Sequence, residues 1–252
     1  MTRTEALLER AAANLAAFKD NPYPGRGVLA SRIKGENQDE DFLVTASFVT
    51  ARSPRSQNRR YKPLGHGRVD TELADSTKER GDPEKTIYTA LAGDSGVYIA
   101  SNGRHTDTLV ELWGHEHAFY KTMLQHSYED DEISTPRIII VCVVNGKVPL
   151  LCEMAILRRS AVGDGCDRNF FRFEDLCPGI GYLLTTYQTD GNPPPIYEGE
   201  PMVLPISGKT AEEIAMFLWG LLDEANRVCL AVKLISLKTG LPIGDPFIIN
   251  RF

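Results

Sequence analysis

Residues 135–157 read TPRIIIVCVVNGKVPLLCEMAIL, two apolar, β-branched runs separated by Asn145-Gly146. Asn-Gly supplies the left-handed backbone that a two-residue hairpin turn demands, so the stretch predicts two antiparallel strands in immediate succession. Short β-rich runs recur on either side: GVLASRI, DFLVTASFVTA, KTIYTALAG and GVYIASN upstream, RNFFRFEDL, GYLLTTYQT, CLAVKLISL and PFIINRF downstream. About eight to ten strands result, mostly in hairpin order.

The helical signals are fewer and lie apart. TEALLERAAANLAAFK repeats Leu7, Leu8, Ala11, Leu15 and Phe18 on one face. From Thr106 to about His126, the positions Leu109, Leu112, Trp113, Phe119, Tyr120, Met123 and Leu124 predict one long core helix. Asp107 in its first turn suits the positive end of the dipole. Thr210 and Glu213 form a Thr-x-x-Glu capping box ahead of Ile214, Phe217, Leu218, Leu221 and Leu222, which predicts a second long helix. Residues 62–85 hold Gly, Pro, Asp, Glu and Lys with little apolar content and predict a loop or mobile excursion. Helices that do not alternate one per strand disfavour a doubly wound parallel sheet. The expected class is α+β, two mainly antiparallel sheets flanked by helices.

Bulk properties narrow the function. The chain has 252 residues, 28 basic against 34 acidic, for a net charge of −6, and neither half carries a basic stripe that would track nucleic acid. Cys142, Cys152, Cys166, Cys177 and Cys229 form no Cys-x-x-Cys pair, which fits a reducing compartment and argues against a zinc ribbon. No apolar run reaches membrane-spanning length, and Glu5 and Glu9 interrupt the start of the chain, so the expected location is cytoplasmic, without membrane contact. The histidines of His115-Glu116-His117 stand two apart, not the four of a helical zinc site, and no metal is required. Phosphate-loop and serine-hydrolase signatures do not occur.

Four clusters could carry chemistry. In ARSPRSQNRRY, Arg52, Arg55, Arg59 and Arg60 stand with Ser53, Ser56 and Asn58 at a strand end, a composition that suits either an anion cradle or a solvated basic turn. NPYPGRG contributes Arg26 beside glycines that admit close backbone approach, or is simply a turn. SNGRHTD places Arg104, His105, Thr106 and Asp107 between an Asn102-Gly103 turn and a helix start, where polar ligands and helix caps are both at home. HSYEDDEISTPRI supplies Glu129, Asp130, Asp131 and Glu132, for most of which a solvated loop is the simpler reading.

Taken in order, YPGRG, RSPRSQNR, TIYTAL, SNGRHTD and SYEDDEISTPRI resemble the stand-alone, archaeal-type IMP cyclohydrolase family, over roughly Tyr23 to Val144 by motif and more weakly to TAEEIAMFLWGLL and CLAVKLISL. The resemblance implies an N-terminal-nucleophile-hydrolase-like fold, a four-layer αββα sandwich, without the processed nucleophile. It would span residues 21–252, with 1–20 as an N-terminal helical extension that either packs on the same domain or offers a homo-oligomer interface. It implies closure of 5-formamidoimidazole-4-carboxamide ribotide to IMP with loss of water, without cofactor or metal. By the same resemblance, Arg52, Ser53, Asn58 and Arg59 fall on the ribotide and its phosphate, with Arg26 near. Asn102, Gly103, His105, Thr106 and Asp107 fall along base and ribose, and Arg137 is a further pocket group. Tyr88 and Glu129 fall on the catalytic positions, Glu129 as proton shuttle and Tyr88 as donor to the formyl oxygen. The chain has Tyr88-Thr89 where the family often has Tyr-Asn. A purine-nucleotide sensor without catalysis is the rival from another class. An amide hydrolase on the same fold would need a nucleophile that the first residue does not supply.

Overall fold

A computed structural model describes residues 2–35, 40–78, 86–144 and 150–252. Among these residues thirteen strands form two sheets. The first has the order β11-β10-β1-β2-β12-β13, built from β1 (Arg26–Lys34), β2 (Asp41–Thr50), β10 (Ile180–Thr185), β11 (Met202–Pro205), β12 (Arg227–Ser236) and β13 (Phe247–Asn250). The second runs in sequence order: β3 (Arg60–Pro63), β4 (Val69–Glu72), β5 (Thr89–Ala92), β6 (Val97–Ser101), β7 (Arg137–Val143), β8 (Leu151–Arg159) and β9 (Cys166–Phe173). Neighbouring strands within both sheets are antiparallel. The helices are α1 (Arg3–Lys19), the single turn α2 (Pro54–Gln57), α3 (His105–Leu112), α4 (Ala118–Gln125) and α5 (Ala211–Leu221).

The layering follows from strands whose two faces are both apolar. On β7, Ile138, Ile140 and Cys142 point into the core between the sheets, while Ile139 and Val141 pack with Leu109, Phe119 and Met123 of α3 and α4. Each fully buried aliphatic side chain contributes roughly 1.5–3 kcal/mol. An unbroken apolar run therefore suits a strand covered on both faces. The outer face of the other sheet is closed in the same way by α5, through Ile214, Leu218 and Leu221, and by Phe18 of α1. The order of layers is helix, sheet, sheet, helix.

The hairpin read from residues 135–157 is present: Arg137 lies opposite Leu157 and Val143 opposite Leu151. Its Asn145-Gly146 turn lies outside the described residues. The Thr210 cap is also as read, its hydroxyl accepting from the Glu213 N–H at 3.1 Å. A similar box forms at Thr2 and Glu5, and the Asn14 amide ties α1 to the Val203 carbonyl at 3.0 Å. Leu8 departs from the predicted apolar stripe of α1 and is exposed.

Two readings need correction. The long helix expected from Thr106 to His126 is two helices of eight residues, because Gly114 (φ +99°) and His117 (φ +59°) turn the chain between them. Residues 62–85 are not wholly a loop. They include β4, which pairs with β3 so that Val69 and Thr71 are buried and Asp70 and Glu72 are not. Four residues are too few for that alternation to stand out from a polar stretch. Residues 79–85 lie outside the described residues. No described helix is long and apolar enough to cross a membrane.

Candidate active site

The strands of both sheets deliver polar residues to one end of the sandwich. Arg26 opens β1, Arg59 precedes β3, Tyr88 precedes β5 and Arg137 opens β7, while Glu129 lies in the connection between α4 and β7. A cavity of about 450 Å³ opens at Arg26, Arg59 and Glu129, lined also by Tyr23, Thr86 and Tyr187 together with Ser53, Ser56 and Asp131, while Tyr88 and Arg137 are not part of its lining.

Buried polar groups in folded proteins are nearly always paired, so unpaired ones mark places where something else is meant to bind. Six of the eight buried, unpartnered side-chain atoms among the described residues belong to five residues: Arg26 Nε, Arg59 Nε and Nη1, Tyr88 Oη, His105 Nδ1 and Arg137 Nε. Another depression of about 460 Å³ lies between α3 and the outer face of its sheet, and none of those atoms belongs to its lining. The chemistry therefore concentrates at the strand ends.

The electrostatics are those of a buried positive cluster around one carboxyl. Burial pushes the Glu129 carboxyl up from its ordinary range, against the pull of Arg26, Arg137 and Arg59. Burial likewise pushes the Tyr88 hydroxyl up to about 12 despite Arg26 and Arg59, so it is a hydrogen-bond donor at neutral pH. Burial would lower Arg26, but Glu129 and the hydroxyls of Tyr187, Tyr88 and Tyr23 more than offset it and hold it charged. Burial and the charge of Arg26 lower Arg59. His105 lies well below the ordinary histidine value through burial and then through Arg137, so its ring is neutral. Arg26, Arg59 and Arg137 act on the buried Glu129 carboxyl, and the cavity lining adds Arg55, Asp131 and Glu132, so guanidinium groups suited to an anion stand beside a carboxylate wall.

The predicted residues divide into those at the cavity and those behind it. Arg26, Arg59, Tyr88, Glu129 and Arg137 converge as described. Ser53 lines the cavity wall and caps α2, accepting from the Ser56 N–H at 3.2 Å. Arg52 lies at the rim, its guanidinium 4.4 Å above the Tyr23 ring and bonded to Asp190 and the Gly191 carbonyl. Asn58 points elsewhere, since its amide exchanges two hydrogen bonds with the Asp75 backbone. Asn102 pins β6 to β7 by donating to the Pro136 carbonyl and accepting from the Ile138 N–H, both at 2.8 Å. The Thr106 hydroxyl bonds to the carbonyls of Thr89 and Gly103. Asp107 lines the outer depression and accepts from Thr89 at 3.2 Å.

Gly103 and His105 sit behind Arg137. A Cβ on Gly103 would lie 2.3 Å from Arg137 Nη1 and 3.2 Å from His105 Nδ1, so only glycine lets the guanidinium lie across the turn. His105 Nε2 is 3.2 Å from the Ile138 carbonyl, which fixes Nδ1 as the unprotonated nitrogen. The SNGRHTD run thus mostly builds the wall that holds Arg137.

The match to the family model described as IMP cyclohydrolase-like protein spans residues 23–239. The chain belongs to the IMP cyclohydrolase-like family. A relative named IMP cyclohydrolase, from Methanocaldococcus jannaschii, is 29% identical over 224 residues, covering 88% of this chain and 98% of its own. Cyclohydrolase-like residues therefore include the whole cavity, from Tyr23 to Tyr187. Tyr23, Thr86, Thr135 and Tyr187 escaped the sequence reading as site residues, and Asp131 stood in it only as one member of the acidic turn. Only the clustering of aromatic and hydroxyl residues in TTYQT hinted at Tyr187, and nothing local in the sequence ties it to Tyr23, against which it stacks at 5.4 Å.

Proposed function

We propose that the chain is an IMP cyclohydrolase, closing 5-formamidoimidazole-4-carboxamide ribotide to IMP. The observation that carries this reading is the set of unpartnered guanidinium and hydroxyl groups gathered about the buried Glu129. In the reaction the carboxamide nitrogen bonds to the formyl carbon and gives up one proton, while the formyl oxygen takes one up. The carbinolamine then expels that oxygen as water as the formamide nitrogen loses its own proton. Nucleophile and electrophile sit on the same imidazole, so holding the productive rotamer already supplies much of the rate.

The remaining demands are an anchor, a proton carrier and a donor to the oxygen that gains charge. Arg26 and Arg59 anchor the ribotide through its phosphate, with Ser53 at the wall and Arg52 at the rim. Arg137, backed by Gly103 and the neutral His105, faces Glu129 across the pocket. Glu129 carries the proton, a role favoured by a carboxyl raised toward neutrality. Tyr88, protonated and without an internal partner, donates to the formyl oxygen. Asn58, Asn102, Thr106 and Asp107 act by holding the strand ends in place.

The test is to incubate purified, metal-stripped protein with the formylated ribotide and to follow IMP formation against the uncatalysed rate. Turnover above background is expected. Binding of IMP without turnover would instead support a nucleotide sensor.

A further inference from the structure

The connection that carries Glu129 is closed by one side chain. Asp131 accepts three times: its carbonyl from the Ser134 N–H at 3.1 Å, Oδ1 from the Thr135 N–H at 2.8 Å and Oδ2 from the Thr135 hydroxyl at 2.5 Å. Thr135 in turn accepts, through its carbonyl, from the Glu129 N–H at 2.8 Å, and the Asp131 N–H returns to the Glu129 carbonyl at 2.9 Å. The turn includes Ser134 at φ +52°, a conformation a serine adopts only when its surroundings hold it there. The Thr135 oxygen lies 2.9 Å from the hydroxyl of Tyr187. Because Thr135 gives its proton to Asp131, Tyr187 is the donor in that contact. The turn is thereby anchored to the residues that follow β10, in the other sheet, and Tyr187 itself is stacked on Tyr23.

We propose that Asp131 is the positioning residue for Glu129: it locks the 129–135 turn and fastens it through Thr135 to Tyr187, so that the Glu129 carboxyl is held facing the three arginines. Asp131 does this without touching the reacting atoms, and the inference rests on the cyclohydrolase reading only for its effect on turnover. The groups that face Glu129 are Arg26 of β1, Arg59 ahead of β3, Tyr88 ahead of β5, Arg137 of β7 and Asp131 in its own turn. Of these groups it is Asp131 whose negative charge favours the protonated form of Glu129.

Two measurements on the full chain decide the matter. In steady-state kinetics Asp131→Asn lowers kcat roughly ten- to hundredfold, as expected for a displaced proton carrier, with KM changed less than about threefold. Thr135→Val reproduces the loss and Thr135→Ser restores activity. In the Glu129→Gln background Asp131→Asn costs nothing further. Independently of turnover, a carbon-13 titration of the Glu129 carboxyl moves to lower pH in Asp131→Asn. If that titration does not move, or if Asp131→Asn costs the same factor with Glu129 already replaced, the proposal is overturned. Should Asp131→Asn fail to fold, Thr135→Val alone and in the Glu129→Gln background gives the kinetic comparison, and an equal loss in both overturns the proposal. Absence of turnover in the unsubstituted protein overturns the cyclohydrolase reading instead, and the carboxyl titration still decides the role of Asp131.

Discussion

Gly103→Ala is the most direct probe of how the pocket is built, because it adds one methyl group whose nearest neighbour is the Arg137 guanidinium. The φ of Gly103 is not in the left-handed region, so the backbone accepts alanine without strain. The new Cβ would lie 2.3 Å from Arg137 Nη1, and ordinary contact begins near 3.4 Å, so the guanidinium must retreat by about 1 Å. His105 Nδ1, 3.2 Å away, blocks part of the retreat. A displacement of that size in a positioning group costs up to roughly a hundredfold in rate. Overpacking at a buried site costs about 1–3 kcal/mol of stability. The expected result is a ten- to hundredfold fall in kcat/KM for the formylated ribotide, with unfolding at a somewhat lower temperature. The deciding comparison is with Arg137→Ala, whose side chain no longer reaches the turn. In that background Gly103→Ala has almost no further effect on kcat/KM if the methyl acts through the guanidinium. An equal loss in both backgrounds would refute the argument.

Three further predictions test separate parts. Glu129→Gln lowers kcat by about 10²–10⁴ with little change in KM, whereas Arg59→Ala raises KM with a smaller effect on kcat; steady-state kinetics giving the reverse pattern would exchange their roles. The raised Glu129 carboxyl makes the folded state bind a proton more tightly than the unfolded chain. Its stability contribution is therefore complete below the unfolded value and lost as pH rises through the folded one. The melting temperature of Glu129→Gln, relative to the unsubstituted protein, consequently climbs from acid toward neutral pH; a flat difference would remove the case for a raised carboxyl. Thr210→Ala removes the α5 cap and costs about 1 kcal/mol, or about 2–4 °C, read by thermal denaturation, with kcat unchanged.

Where the residue pattern carried a physical reason, it translated into structure. The Thr210 box, the β7 and β8 runs and the absence of alternating helices led to the layered sandwich. The break between α3 and α4 was hidden because the apolar spacing continues past Gly114, and only the geometry of Gly114 and His117 interrupts it. At the site, Arg26, Arg59, Arg137 and Glu129 were reached through the order of the motifs, because a basic or acidic turn read alone suits solvent as well as a ligand. Short polar side chains were not legible, since Asn58, Asn102 and Thr106 serve a backbone as well as they serve a ligand. Tyr187 and Thr135 meet across 52 positions of chain, a distance over which no periodicity speaks.

The convergence of strand ends from both sheets has a consequence for how the chain matures. The Arg26 N–H reaches the Thr186 hydroxyl across 160 positions, and Arg59, Tyr88, Glu129 and Arg137 come from the span between. No fragment of the chain holds the pocket, and contacts so remote in sequence are among the slowest to form. Affinity for a ribotide therefore arises only when folding is complete. A nucleotide that binds there draws the last folding equilibrium toward the native state in proportion to its concentration.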